Sequence, residues 1–497
     1  MIVESPPFSR DWKGLDGTWT KRFLLAATEL KPELEHANQI KLDLERANSS
    51  LNSFWTSIMS DKEAKLRSAG ESTASTPDAP DSTVPGLRRA YEHESSPSPK
   101  NVKEFDVKDR ELFTKRFEKM KPSCKWRLNS GRYVEDVVHE LGKECKYHNL
   151  VHSFIINPED DYIRSHFTDE ELNEIVYERV RNPPALDSDL LKFISSFAKL
   201  STAEIRKELN RPHPKLGEGY NPKTDFPYNH VKSTVADWIL LLEADPNPLT
   251  LDLPEAWYRT NVWRCIDIAF SNIPYVVVVG GERAGIASTE RKNLFRTLAN
   301  ELPTQRKVVG KKGDGYVRSV GQRLVDWASS EAGPYWEGIK GTKLLQECGL
   351  VLPRQLKDIF MSLAREVKFD EEKIRAIDVP GFIHAGAMLI TTKLDCPKGY
   401  ICRYTIHPPY EVYADVQRFD QSLDALVAIL YAKNVIVRTM NVVNSAGGGV
   451  EEKALARWKT LGVESKRKIE LADIPDCHPT PKKKKQAKMG KNFDVTK

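Results

Sequence analysis

"GKKGDGYVRSVGQRLVDWASSEAG", residues Gly310 to Gly333, decides the reading of the fold. Gly321-Gln322 suits a two-residue hairpin turn, because a type II′ turn asks for glycine at its first central position. Val320 then pairs with Arg323, and Asp314 lies opposite Ser329. Strand parity puts Glu331 on the face of Asp314, so the two acids become diagonal neighbours roughly 7–8 Å apart at the backbone. The same register sets Tyr316 opposite Trp327 as a floor and turns Asp326 to the other face. A single bulge would reverse the assignment of Asp326. Two carboxylates on one face can grip a hard cation such as Mg²⁺. A cation so held activates water and offsets the charge that builds on a phosphodiester.

The flanks add order and charge. "LPEAWYRTNVWRCIDIAF" reads as a helix with Pro254 near its first turn. "IPYVVVVGGERAG" reads as a buried strand ending in a glycine-rich turn. From Glu282 to Lys312 there are eight Lys/Arg against three Asp/Glu, a local net of +5. Arg283, Arg291, Lys292, Arg296, Lys311 and Lys312 are the candidates for contact with nucleic-acid phosphates. After the hairpin, "GTKLLQECGLVLPRQLKDIFMSLAREV" predicts two helices split near Pro353. The strands "GFIHAGAMLITTKL", "GYICRYTIH" and "YEVYADV" follow, and the helix "SLDALVAILYAKNVIVRTMNVV" closes the region. Helix, strand, hairpin, helix, strands and helix make an α/β (α+β) domain with a mixed sheet.

This order resembles the PD-(D/E)XK, or restriction-endonuclease-like, superfamily between about Leu253 and Glu366. The resemblance implies a mixed sheet flanked by helices, a Mg²⁺ cofactor and cleavage of nucleic acid. Asp314 in "KKGDG" matches the first acid of the motif and Glu331 in "SSEAG" the second. The lysine position falls on Gly333. Lysine in that family steers the attacking water, and it sometimes moves to the next helix, which makes Lys340 and Lys343 the candidates. Glu282, or Glu255 in "LPEAW", could supply a third acid. A broader stretch, about Val151 to Val443, resembles a family of uncharacterised proteins from early-diverging, Mucor-like fungi. Its carriers include "GERAGIASTERKN", "SSEAGPYWEGIKGTKLL" and "HSFIINPEDDYIRSHFTDEELNEI". That resemblance supports the domain boundaries and implies no reaction.

The rest of the 497-residue chain divides by composition. Residues 1–67 carry a short heptad seam, Ala37, Ile40, Leu44, Ala47, Leu51, Phe54 and Ile58, which suits packing on the protein itself or self-association through residues 37–58. Residues 68–104 are rich in Pro, Ser and Thr and read as a disordered linker. Residues 105–245 read as mainly helical, with Thr168 and Glu171 forming a capping box. Residues 246–443 are the α/β domain. Residues 444–497 form a basic flexible tail. From Leu461 onward ten Lys/Arg face five Asp/Glu, so everything before it sums to zero. Lys482, Lys483, Lys484 and Lys485 match a nuclear-import signal, which implies an import receptor as partner and a nuclear (otherwise cytoplasmic) location. Seven scattered cysteines fit a reducing compartment. No apolar run approaches the ~20 residues of a membrane span, so no membrane role is expected.

Other patterns carry less. Gly280 and Gly285 have the glycine spacing of a phosphate loop, but Ile286-Ala287 replaces its lysine and hydroxyl. Cys145, His148 and His152, with Cys124 or His139, could form a zinc set, although the paired C-x₂-C spacing is absent. His384 reads as a core or rim histidine, and Arg403 as a sheet-face arginine. Neither a G-x-S-x-G elbow nor an H-E-x-x-H pair occurs. The leading expectation is thus a nuclear, Mg²⁺-dependent nuclease acting on nucleic acid. A catalytically degenerate nucleic-acid binder and a coiled-coil interaction protein without a nucleic-acid role are the alternatives.

Overall fold

The computed structural model describes residues 104–294 (the Glu282 side chain apart), 307–321, 323–333, 335–336, 338, 341, 346–445 and 474–479. The 37–58 seam, residues 68–103 of the linker, Arg296, Lys340, Lys343 and the Lys482–Lys485 cluster lie outside them. The described residues all fall in one compact unit, Pro97–Lys497.

The first half is helical, as expected: α1 (Val107–Glu118), α2 (Val134–Glu144), α3 (Asp169–Tyr177), α4 (Ser188–Ser195), α5 (Thr202–Leu209) and α6 (Phe226–Leu242). The capping box forms. Glu171 N donates to Thr168 Oγ1 at 3.3 Å, and Thr168 N to Glu171 Oε2 at 3.1 Å. The helical half is not a separate layer, however. Its short strand β1 (Ile155–Ile156) pairs in parallel with β7 (Ile401–Ile406) and so enters the sheet.

The other strands are β2 (Val276–Ala284), β3 (Lys312–Val320), β4 (Leu324–Gly333), β5 (Asp378–Ala385), β6 (Met388–Lys398) and β8 (Tyr410–Glu411). They form one eight-stranded mixed sheet, ordered β1-β7-β6-β5-β4-β3-β2, with β8 on β6. β4 and β5 run parallel, joined by a crossover through α9 (Leu352–Glu366). Parallel neighbours need such a crossover, and it brings a helix back over the sheet. Side chains of β5 alternate between two layers. Gly381 faces Leu352 and Leu356 of α9, where a Cβ would meet both at 3.0 Å. Asp378, on the other face, pairs with Arg181 and Arg438 and lies under Thr439 of α10 (Phe419–Ser445).

Four expectations change. β2 is an edge strand rather than a buried one, with Val277 exposed, because among the described residues no strand pairs beyond it. Its glycines do not form a terminal turn. They sit in a bulge inside the strand, between Gly280 and Arg283, where Gly281 takes a φ of +77° that favours glycine. The stretch 254–269 holds two helices, α7 (Glu255–Asn261) and Arg264–Ile268, with Pro254 as the N-cap. α10 is long and apolar enough to cross a membrane by length and composition, unlike the run-based expectation. It packs against β5, β6 and β8 as a core helix.

Candidate functional site

The hairpin forms, in a register different from the expected one. Val320 pairs with Leu324, not Arg323, and Arg318 with Asp326. A bulge at Trp327 then shifts the pairing by one, so that Val317 meets Ala328 and Tyr316 meets Ser329. Asp314 is therefore not opposite Ser329. The ladder ends at Gly315–Ser330, and one further step brings Asp314 level with Glu331. Tyr316 does not face Trp327 either. The Trp327 indole turns to the other side and donates to Ser319 Oγ at 2.6 Å.

The same bulge decides the fate of Asp326. It returns that carboxylate to the face of Tyr316 and Arg318, the reversal a bulge was expected to cause. There it is structural. Arg318 Nε donates to Asp326 Oδ1 at 2.6 Å, and Ile286 N, at the start of α8 (Ile286–Asn293), donates to Oδ2 at 2.6 Å. Asp326 thus closes the N-terminus of α8 and neutralises a buried arginine.

Asp314 and Glu331 are held from different directions. Ala332 N donates to Asp314 Oδ2 at 2.8 Å, just past the last ladder pair, Gly315–Ser330. Arg259 Nη1, from α7, donates to Asp314 O at 2.8 Å. Gly280 permits that approach, since a Cβ there would meet Arg259 Nη2 at 2.5 Å. Glu331 is buried, 7% exposed. Gln355 of α9 organises it: Nε2 donates to Glu331 Oε1 at 2.6 Å and to Lys312 O at 3.2 Å, while Oε1 accepts from Ser329 Oγ at 2.6 Å. Burial, and then the charge of Asp314, pushes the Glu331 carboxyl up to about 8. Gln355 and Lys311 pull it down, and Glu347 adds to the rise.

The basic candidates separate. Arg291 turns inward to a two-point ion pair with Asp358, at 2.6 and 3.1 Å, and is 13% exposed. It is occupied inside the fold. Lys292 is exposed and its Nζ donates to Val309 O at 3.1 Å. Arg283, Lys311 and Lys312 are exposed; Lys312 opens the strand that carries Asp314, and Lys311 immediately precedes it. Glu282 lies in the β2 bulge.

Gln355, Glu347 and Arg259 went unnoticed in the sequence. An isolated glutamine or arginine on a helix carries no spacing signal. Only the crossover of α9 onto β4 brings Gln355 to Glu331.

The remaining candidates are structural. His384 is buried beside Trp263, and burial pushes it down to about 3. Arg403 is locked to Asp395 and to the carbonyls of Ile175, Val176 and Glu178. The zinc set does not assemble as expected. His152 accepts from Asn149 N at one ring nitrogen and meets Gly142 O with the other. His139 stacks on Phe117, and Cys145 lies by Tyr162. Cys124 is part-buried at the end of a 3-10 turn, Pro122–Cys124, between α1 and α2. His148 alone of that set joins a cluster, with Asp109 and His478.

No family model, no curated protein and no solved structure matches this chain.

Proposed function

We propose that this chain is a metal-dependent, nuclease-like protein that acts on nucleic-acid phosphodiesters, built on a restriction-endonuclease-like core. The observation that carries the reading is the Glu331 carboxyl: buried, beside Asp314, and pushed up to about 8. Burial and a like charge both disfavour ionisation, and perturbed groups of this kind concentrate at functional sites. A divalent cation would balance the pair. The donors fit a hard ion, because they are carboxylate oxygens on neighbouring strands, each fixed by a hydrogen bond from Ala332 N or Gln355 Nε2. Bound Mg²⁺ would supply a water of lowered pKa and positive charge at the phosphate.

The chain's own residues do the rest. Gln355 and the Ala332 amide orient the two acids. Lys311 and Lys312 hold the nucleic-acid backbone beside them. Lys340 or Lys343 takes the role of the lysine that Gly333 cannot play. The Lys482–Lys485 cluster directs the protein to the nucleus through an import receptor.

Gly333 favours one second reading. With no charged group at that position, the chain binds nucleic acid as a regulatory or scaffold factor and does not cut it. Purified protein incubated with single- and double-stranded DNA and RNA, in Mg²⁺, Mn²⁺ or EDTA, tests the choice. Cleavage that needs metal and disappears in Asp314→Ala supports the enzyme. Salt-dependent binding, equal in wild type and variant and without cleavage, supports the binder. Neither cleavage nor salt-dependent binding overturns both.

A further inference from the structure

We infer that Asp109, His148 and His478 form a second metal site, separate from the hairpin and suited to zinc or a similar late first-row divalent ion. Among the described residues they are the one group of three such side chains whose ligand atoms all lie within 4.8 Å of one another. His478 Nε2 is 3.0 Å from Asp109 Oδ1, and His148 Nε2 is 3.3 Å from Asp109 Oδ2. Tetrahedral zinc with bonds of about 2.0–2.1 Å sets its ligands roughly 3.3 Å apart, so these three stand close to the required spacing.

The polar atoms make the same point independently. His478 Nε2 shares a 3.0 Å hydrogen bond with Asp109 Oδ1, which a metal would replace, but His148 Nε2 is buried and without a hydrogen-bond partner. Buried nitrogens are seldom left so. His148 Nε2 faces the Asp109 carboxylate at 3.3 Å, so the two histidines and the carboxylate converge.

Donor chemistry separates the two sites. Two imidazoles and one carboxylate select zinc-like ions, whereas an all-oxygen pair selects Mg²⁺. Arg116 and Arg354 oppose a cation electrostatically, with Asp106 on the favourable side. Binding here therefore rests on imidazole coordination rather than on net charge. The ligands come from distant parts of the chain: Asp109 lies on α1, and His478 lies 369 residues later in the segment 474–479. That segment is docked, with Ile474 and Cys477 buried, Asp476 paired with Arg365, and His478 N donating to Ser153 Oγ at 3.0 Å. A metal would pin the C-terminal segment to the helical half, so binding and docking are linked.

The test uses the full-length chain, stripped with chelator and titrated with Zn²⁺ and Co²⁺. One equivalent of zinc by elemental analysis is expected, with cobalt d–d absorption of a tetrahedral site. His148→Ala and His478→Ala should each weaken binding roughly ten-fold or more. The tetrahedral cobalt band, which an all-oxygen carboxylate pair does not give, should be the same in Glu331→Gln, which keeps this result independent of the hairpin. Hydrogen exchange over residues 474–479 should slow on adding zinc to the wild type, a readout that needs no variant to fold. No stoichiometric zinc in the wild type, or titrations unchanged in both histidine variants, overturns the inference.

Discussion

Gln355 on α9 donates a 2.6 Å hydrogen bond to Glu331, 24 residues earlier in the chain, and thereby fixes the buried acid of the hairpin. Its other amide atom is occupied by Ser329, so the side chain has one orientation that satisfies all of its partners. Gln355→Ala leaves Ser329 and Glu331 short of partners in a buried place. It should destabilise the protein by about 1–3 kcal/mol in chemical denaturation. It should also raise the Glu331 titration further, because the lost bond favoured the ionised form. An unchanged titration of Glu331, followed by carboxyl NMR, would contradict that role.

The pH dependence follows from Glu331 itself. Its folded value, about 8, lies above the ordinary 4.5, so the native state keeps a proton that the unfolded chain has released. Stability from this group is fully present below about 4.5 and is lost as pH rises to about 8. The metal-free protein should lose on the order of a few kcal/mol across that window, and Glu331→Gln should flatten the loss. Urea midpoints measured from pH 5 to 8.5 in chelator check it. Identical slopes in wild type and variant would count against a perturbed Glu331.

Asp326 and Asp314 should behave oppositely. Asp326→Ala strips the partner from buried Arg318 and from the start of α8, and should cost about 3–5 kcal/mol. Asp314→Ala should cost about 1–2 kcal/mol, the worth of its hydrogen bond to Ala332, while abolishing metal-dependent cleavage. Thermal melts of the two variants side by side distinguish them.

The arginines and lysines divide in the same way. Arg291→Ala leaves buried Asp358 without its cation and should appear as lost stability. Lys311→Ala with Lys312→Ala should leave the fold intact and weaken nucleic-acid binding. The slope of log K against log salt should fall by about two in the double variant, one for each phosphate contact. An unaltered slope would remove those lysines from the interface.

The order of elements was legible in the sequence, because hydrophobic period and turn chemistry are local. The mixed sheet, the capped helix at Thr168 and the long helix at 419–445 all follow from such signals. The hairpin's existence was legible too, but its register was not. A bulge at Trp327 has no composition signature, and it moved Asp326 from one face of the sheet to the other. Edge status of β2 escaped for a different reason: "VVVV" looks the same in a central and an edge strand, and only the pairing order distinguishes them. The Gln355–Glu331 contact and the Asp109–His148–His478 group depend on chain crossings, which local sequence does not encode.

The central claim is that Asp314 and Glu331 form a metal-dependent phosphodiesterase centre, and the most direct measurement is cleavage of labelled DNA and RNA by wild type, Asp314→Ala and Glu331→Gln in Mg²⁺ against EDTA. The account predicts cleavage by the wild type in Mg²⁺ alone, none by either variant, and folded variants by circular dichroism. Absence of cleavage by folded wild type with every metal and substrate, or undiminished cleavage in both variants, would contradict it.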